Sequence, residues 1–157
     1  MYTPVLVGMV KAWEGFAHAA HWDNKQFSNG FGTKALNARE QITQWEAERR
    51  MVIALAAAER MLERFFSPAQ LKAMGQVRRE CCISMIYQMG PGNADGQGGG
   101  FGSFLRMREA LGEGDWRRAF HEARDSHWFR TDSPTRAHET SVMLMHGRYF
   151  WEHGADV

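Results

Sequence analysis

The stretch from Ala73 to Met89 constrains the fold of this chain more than any other segment. Its apolar residues recur at helical spacing, and after Arg79 and Glu80 they occupy more than one face of the helix. A helix at a protein surface needs an apolar stripe on one face only, whereas a helix that is apolar on several faces is buried. We therefore expect this segment to be the central buried helix of the protein.

Capping patterns predict two helix starts before this segment. Thr43-Gln44-Trp45-Glu46 matches a capping box, because the side chains of its first and last residues can each satisfy the other's free backbone N–H. This box opens a helix that we expect to continue to about Phe66. Ser67-Pro68-Ala69-Gln70 is a second capping signature, with Pro68 at the first helical position, where a missing N–H breaks no hydrogen bond.

Four further helices are predicted from apolar spacing and caps: about Thr3 to Trp13, about Phe101 to Leu111, Asp115 (as the cap) to Arg124, and Pro134 to Trp151 with Ser133 as the cap. The glycine-rich stretch from Gly90 to Gly102 reads as a flexible insertion, because no Gly-Lys-Ser/Thr ending makes it a phosphate-binding loop. From Gly15 to about Ala38 aromatic residues alternate with short polar and glycine-rich stretches, which predicts one or two antiparallel hairpins. The fold class is therefore α+β, mostly helical, with one small β region near the N-terminus.

Charge and cysteine usage narrow the functional classes. The formal net charge of the 157 residues is only +1, so no strong field attracts nucleic acid or acidic lipid. Arginines are dense near the C-terminal end, and we interpret them as solvated helix faces rather than a site for an anionic polymer. Cys81 and Cys82 are adjacent, which makes a bridge between them strained, so they are expected to be reduced packing residues. The first residues lack a basic leader and a cleavage site, so we predict neither a signal peptide nor a transmembrane span.

Two carboxylates are the main chemical signal. Glu14 ends the first helical pattern among Trp13, Gly15 and Phe16, and Asp23 stands eight residues later in a more hydrated turn. Such a pair can hold two acids on opposite sides of a bond, and glycosidic hydrolysis needs this, because one carboxyl protonates the leaving oxygen while the other handles the incoming water. Two carboxyls in unlike environments suit these separate roles.

The chain resembles the phage-type lysozymes, the tailed-phage endolysins that cleave peptidoglycan. The first block of the resemblance is Glu14-Gly15, Asp23, Ser28 and Gly30-Phe31-Gly32. Further blocks follow in the family's order over nearly the whole chain: Cys82 to Gly90, Gly100-Phe101 with Leu105-Arg106-Met107, Asp115-Trp116, Ser126 to Phe129, and Pro134-Thr135-Arg136-Ala137. The resemblance implies a lysozyme-like fold over residues 1–157, with a small α/β lobe at about 13–60 and a helical lobe at about 61–157 that includes the first helix.

The resemblance also implies catalytic roles. Glu14 would be the general acid, Asp23 and Ser28 would orient the attacking water, and Arg136 would pair with Glu14. Counting forward from Asp23 puts Asn29 in the third catalytic position, whereas counting back from the glycine turn puts Ser28 there. We prefer Ser28, because a hydroxyl can both donate to and accept from a water.

Four more positions match the family's saccharide contacts, namely Tyr87, Gly32, Lys34 and Phe104, and Gln88 with Trp128 matches a structural hydrogen-bonded pair. His18 and His21 lie three apart near Asp23, but no third ligand has convincing spacing, so no metal site is predicted. No cofactor is expected either.

The implied activity is that of a bacteriolytic muramidase. It would cleave the β-1,4 bond between N-acetylmuramic acid and N-acetylglucosamine in bacterial peptidoglycan, mainly with inversion. The expected protein is a monomer without nucleic-acid or stable membrane association, made in the host cytoplasm and released to the wall through a separate pore protein. Two alternatives stay open: a lytic transglycosylase, which needs no activated water, and a non-catalytic peptidoglycan-binding protein of the same fold.

Overall fold

The computed structural model describes residues 1–153. Its six α-helices over that range are α1 (Pro4–Glu14), α2 (Gln44–Leu62), α3 (Pro68–Met89), α4 (Leu105–Glu113), α5 (Trp116–Arg124) and α6 (Pro134–His146). Its strands are β1 (Ala17–Trp22), β2 (Phe27–Gly30) and β3 (Thr33–Lys34). The predicted α+β class, mostly helical with one small antiparallel sheet near the N-terminus, is confirmed.

The sheet is built from consecutive antiparallel strands in the order β1-β2-β3. Register is irregular in β1, because Ala17 lies opposite Gly30 whereas His21 lies opposite Ser28. On its outer edge β1 pairs with the segment before α2 through a single bridge between Ala19 and Gln41. The strands thus form the hairpins that the aromatic and glycine pattern predicts.

Helix α2 carries half of its predicted capping box. The backbone N–H of Glu46 donates to Thr43 Oγ1 at 3.2 Å, but the Glu46 carboxylate bonds to Arg49 and Arg50 on the same helix. The helix ends at Leu62 rather than at Phe66. Residues 63–66 form turns that lead directly into the next cap.

Helix α3 is the predicted central helix, and its cap is complete. Ser67 Oγ accepts from the Gln70 N–H at 3.3 Å while Gln70 Oε1 accepts from the Ser67 N–H at 2.9 Å. Gly75 interrupts the helix with φ 72° and ψ 178°, so a short first segment is joined across a kink to the buried one. Beyond the kink, residues 80–86 are all buried, as the apolar pattern predicts.

The C-terminal helices differ from the prediction at their ends. The predicted cap of α5 is present, since Asp115 accepts from the Arg118 N–H at 3.0 Å. The predicted cap of α6 is wrong: Ser133 makes no side-chain cap, and its Oγ accepts from Gln88 Nε2 at 2.7 Å. Helix α6 ends at His146, not at Trp151, and the rest of that stretch contains a 3₁₀ turn, Phe150–His153.

The glycine-rich stretch is a loop whose two ends are joined by backbone hydrogen bonds. Phe101 N–H donates to Gly90 O at 2.9 Å and Gly102 N–H donates to Pro91 O at 2.7 Å. Arg108 on α4 donates to the Ala94 carbonyl at 2.9 Å. Only residues 101–103 form a helical turn here, a 3₁₀ turn, so α4 begins at Leu105 and not at about Phe101.

By backbone proximity the chain divides into two compact units, Met1–Glu59 and a second that starts at Arg60. Helix α1 belongs to the first of these units, and the two-lobe organisation that the resemblance implies stays a prediction. Inside the first unit Leu6 and Val10 of α1 are fully buried, and Lys11 Nζ bonds to Glu48 Oε1 on α2 at 2.6 Å.

The second unit packs around α3. Its two cysteines are free and buried, as predicted, and burial raises the pKa of Cys82 to about 12. Phe101 is fully buried with its ring 5.2 Å from that of Phe65. Over residues 1–153, no helix has both the length and the apolar character needed to cross a membrane.

Candidate functional site

The turn between β1 and β2 fixes Asp23 through its own backbone. Asp23 N–H donates to Gln26 O at 3.0 Å, and the N–H groups of Lys25 and Gln26 donate to Asp23 Oδ1 at 3.0 and 2.9 Å. Asn24 closes the turn in the left-handed region with φ 74°. The short Asp-Asn-Lys-Gln sequence favours such a turn, because Asp and Asn side chains bond to nearby backbone and tolerate this conformation.

The second oxygen of Asp23 is held by Ser28. Ser28 Oγ donates to Asp23 Oδ2 in a short hydrogen bond. This bond first, and then the Gln26 and Lys25 N–H groups, hold the pKa of Asp23 below its usual value. Asp23 therefore stays ionised over the whole physiological range, although its side chain is exposed.

The structure of β2 shows which of Ser28 and Asn29 lies beside Asp23. Successive residues of β2 point to opposite faces of the sheet, so only one of the two can face Asp23. Ser28 is the one bonded to Asp23, and Asn29 Nδ2 donates instead to Glu40 Oε2 at 3.0 Å. Ser28, and not Asn29, is therefore the residue beside Asp23, and its water-orienting role stays a prediction.

Glu14 lies at the end of α1 and faces the second turn of the sheet. The helix ends at Gly15, whose N–H donates to Lys11 O at 3.1 Å. Gly32, with φ 78°, is so near the Glu14 carboxyl that a methyl group on it would lie 2.9 Å from Glu14 Oε2. Glu14 as a whole is half-buried. The predicted substrate residue Gly32 is therefore also the surface against which Glu14 rests.

A row of three side chains crosses the sheet on the face that carries Asp23. His21 lies opposite Ser28, and Ser28 lies opposite Lys34. Directly opposed residues of antiparallel strands share a face, with Cβ atoms about 4.5–5.5 Å apart. Lys34, a predicted substrate contact, thus flanks the Asp23–Ser28 pair from β3 while His21 flanks it from β1.

The opposite face of the same hairpin carries an exposed aromatic pair. Trp22 and Phe27 lie opposite each other, and their ring centroids are 5.4 Å apart in an edge-on arrangement. Alternation along the strands directs these rings away from the side of Ser28. They do not belong to the site that contains Asp23.

Arg136 and Tyr87 lie in the second unit. Arg136, near the start of α6, is buried and donates from Nη2 to the Ser84 carbonyl on α3 at 3.0 Å. Tyr87 stands three residues after Ser84 on α3, hence on the same side of that helix. The pairing of Arg136 with Glu14 stays a prediction.

The remaining second-unit residues form a bonded cluster. The ring of Phe104 meets that of Trp128 edge-on at 6.0 Å. Trp128 Nε1 donates to Gln88 Oε1 at 3.1 Å, so the Gln88–Trp128 pair that the resemblance implies is present. Trp128 also starts a π-helical turn, Trp128–Asp132, which the sequence did not predict.

Sequence reasoning missed two supports of the site. Gln26 holds Asp23 by its backbone, and its Nε2 reaches Ser28 Oγ at 3.4 Å. Glu40 joins three segments, because it binds Asn29, the Leu36 N–H at 2.7 Å and both terminal nitrogens of Arg50. The turn residues Asp-Asn were a usable signal for Gln26, whereas Glu40 had none, since its partners are distant in sequence.

His18 and His21 have different surroundings. His18 Nδ1 lies 2.8 Å from Ile42 O, whereas His21 lies opposite Ser28 in the β1–β2 pairing. No group of three or more His, Cys, Asp or Glu side chains suited to a metal ion occurs within the described residues.

Comparison with protein-family models and with curated proteins finds no match to this chain.

Proposed function

We propose that this protein is a muramidase with a lysozyme-like fold, which hydrolyses the β-1,4 bond between N-acetylmuramic acid and N-acetylglucosamine in bacterial peptidoglycan. Glu14 is the general acid, and Asp23 with Ser28 orients the attacking water. One observation carries the proposal: Ser28 is bonded to Asp23 on the same three-stranded sheet whose second turn places Gly32 against the Glu14 carboxyl.

The sequence resemblance supports inversion as the stereochemical outcome. Inverting glycosidases hold their two carboxyls roughly 6.5–9.5 Å apart, which leaves room for a water between the acid and the sugar.

The bond changes follow from these positions. A water donates one hydrogen bond to the Asp23–Ser28 pair, its oxygen attacks the anomeric carbon, and its other proton is removed as the new bond forms. The electrons of the glycosidic bond move to the leaving oxygen, which takes the proton of Glu14. Because the water and Glu14 act from opposite sides of the sugar, the product has inverted configuration.

The biological setting is part of the same proposal. The substrate is the glycan of the bacterial wall, and the sequence resemblance supports a phage endolysin that acts as a monomer. In this account the enzyme is made in the host cytoplasm and reaches the wall through a separate pore protein.

The test is loss of wall lysis in Glu14→Gln. This isosteric change removes the donated proton, and general acid catalysis contributes about 10²–10⁴-fold. The rate at which the variant clears a suspension of purified walls should fall by at least about 10²-fold. Glu63→Gln is the matched control, because Glu63 is an exposed carboxyl in the turn after α2, and its clearing rate should equal that of the unmodified protein.

Full residual lysis by Glu14→Gln would remove Glu14 from the mechanism. If the unmodified protein sediments with walls but never clears them, the protein is a peptidoglycan-binding module without hydrolase activity.

A further inference from the structure

Hydrolysis with inversion leaves a proton to be removed from the attacking water, and Asp23 is a poor acceptor for it. Both oxygens of Asp23 accept protein hydrogen bonds: Oδ1 from the Lys25 and Gln26 N–H groups, and Oδ2 from Ser28. These bonds stabilise the ionised carboxylate and lower its pKa. A carboxylate that already accepts three hydrogen bonds can orient a water, but it has a low affinity for the proton that the water must lose.

A better acceptor lies on the same face of the sheet. His21 is directly opposite Ser28 in the β1–β2 pairing, and it therefore shares the face of the Asp23–Ser28 pair. Its side chain is exposed and close enough to Asp23 for the two to interact electrostatically. A neutral imidazole carries a lone pair for a proton and is the side chain that most often serves as a general base.

We propose that His21 is a further catalytic residue, which accepts the proton of the water that Asp23 and Ser28 orient. The inference rests on the proposed hydrolysis. As the water oxygen bonds to the anomeric carbon, one of its protons moves to an imidazole nitrogen of His21. The glycosidic oxygen leaves with the proton of Glu14, and the imidazolium later returns a proton through solvent to Glu14. Water is added across one bond, and no other reactant is consumed.

Charged groups near His21 come from the adjoining turn, from β3 and from the segment before α2. Asp23 and Lys25 lie in the adjoining turn, and Lys34 lies beyond Ser28 on β3. The strand partner itself contributes the uncharged Ser28. Glu40, on the segment bonded to the outer edge of β1, keeps its carboxylate on Arg50 at 2.7 Å.

His18 supplies a matched control on the same strand. Its Nδ1 is engaged by Ile42 O at 2.8 Å, on the segment that precedes α2. His18→Gln removes an imidazole from β1 and disturbs a backbone contact, and it leaves His21, Asp23 and Ser28 unaltered. Any general effect of altering β1 should appear in this variant.

The experiment compares the pH dependence of kcat and KM for the unmodified protein, His21→Gln and His18→Gln on soluble peptidoglycan fragments. Loss of a general base lowers kcat by about 10²–10⁴-fold, and KM should change little, because His21 acts on the water. The acid limb of the kcat profile between about pH 5 and 8, where histidine titrates, should vanish in His21→Gln and persist in His18→Gln. Added imidazole should partly restore His21→Ala.

Two further measurements distinguish the loss of a general base from misfolding of the variants and from absence of hydrolysis in the unmodified protein. In the unmodified protein, the NMR titration midpoint of His21 should coincide with the acid limb of kcat, and a mismatch would overturn the role of His21 even if the variants fail to fold. An unchanged profile in His21→Gln would overturn it as well. Absence of cleavage by the unmodified protein would instead remove the proposed function.

Discussion

At the scale of single residues, Gly32 serves both the backbone and the site. Its φ of 78° is strained for any residue with a Cβ, and that Cβ would lie 2.9 Å from Glu14 Oε2. Gly99 provides the comparison, since its φ is 75° and a Cβ there would meet nothing within 4 Å.

We predict that Gly32→Ala and Gly99→Ala each lose about 1–2 kcal/mol of unfolding free energy, the cost of the left-handed conformation. Only Gly32→Ala should also lose wall lysis, by about 10-fold or more, because a displacement of about 1 Å at a reacting group can cost about 10²-fold. Urea unfolding and the turbidity assay measure the two effects. Equal lysis by both variants would show that Gly32 does not position Glu14.

At the scale of secondary-structure elements, Glu40 and Arg50 tie β2, the segment before α2, and α2 itself. Hydrogen bonds from Arg50 first, and then from the Leu36 N–H, lower the pKa of Glu40 to about 2. Glu46, which shares Arg50, has its pKa lowered to about 2 chiefly by Arg49. Both carboxyls are therefore protonated more easily in the unfolded chain than in the folded one.

The lowered pKa values of Glu40 and Glu46 determine how the stability of the fold changes with pH. A carboxyl with a lowered folded-state pKa stabilises the fold fully above its unfolded value, here about 4.5, and this stability is lost as the pH falls toward about 2. We predict that the urea midpoint drops between pH 5 and pH 2.5, and that Glu40→Gln lowers the midpoint at pH 6 and flattens this drop. Glu63→Gln, a change at an exposed carboxyl, should leave the slope intact; a slope unaltered in Glu40→Gln would contradict the assignment.

Among the elements, local sequence patterns specify some helix starts, whereas features that depend on distant residues cannot be predicted from them. Helix starts at Ser67 and Asp115 were predictable, because the cap and its target are at most three residues apart. The cap predicted at Ser133 failed because its hydroxyl is bonded to Gln88, which is 45 residues away. The Ser28 register likewise needed the strand pairing, and the kink at Gly75 lies inside an otherwise regular helical pattern.

At the scale of the whole molecule, the residues in the proposed reaction come from one short part of the first unit. Glu14, Asp23, Ser28 and the added His21 all lie within 15 residues of sequence, on the end of α1 and on one face of a small sheet. The order of helices and the presence of this sheet were predictable from local patterns. The boundary between the two units, after Glu59, falls inside the continuous helix α2.

The most direct test of the central claim is the product of wall digestion in ¹⁸O-labelled water, analysed by mass spectrometry. Attack by a water that Asp23 and Ser28 orient predicts that every new reducing end is N-acetylmuramic acid carrying one ¹⁸O atom. Anhydro ends without the label would contradict the account, because a lytic transglycosylase closes the ring internally and needs no oriented water.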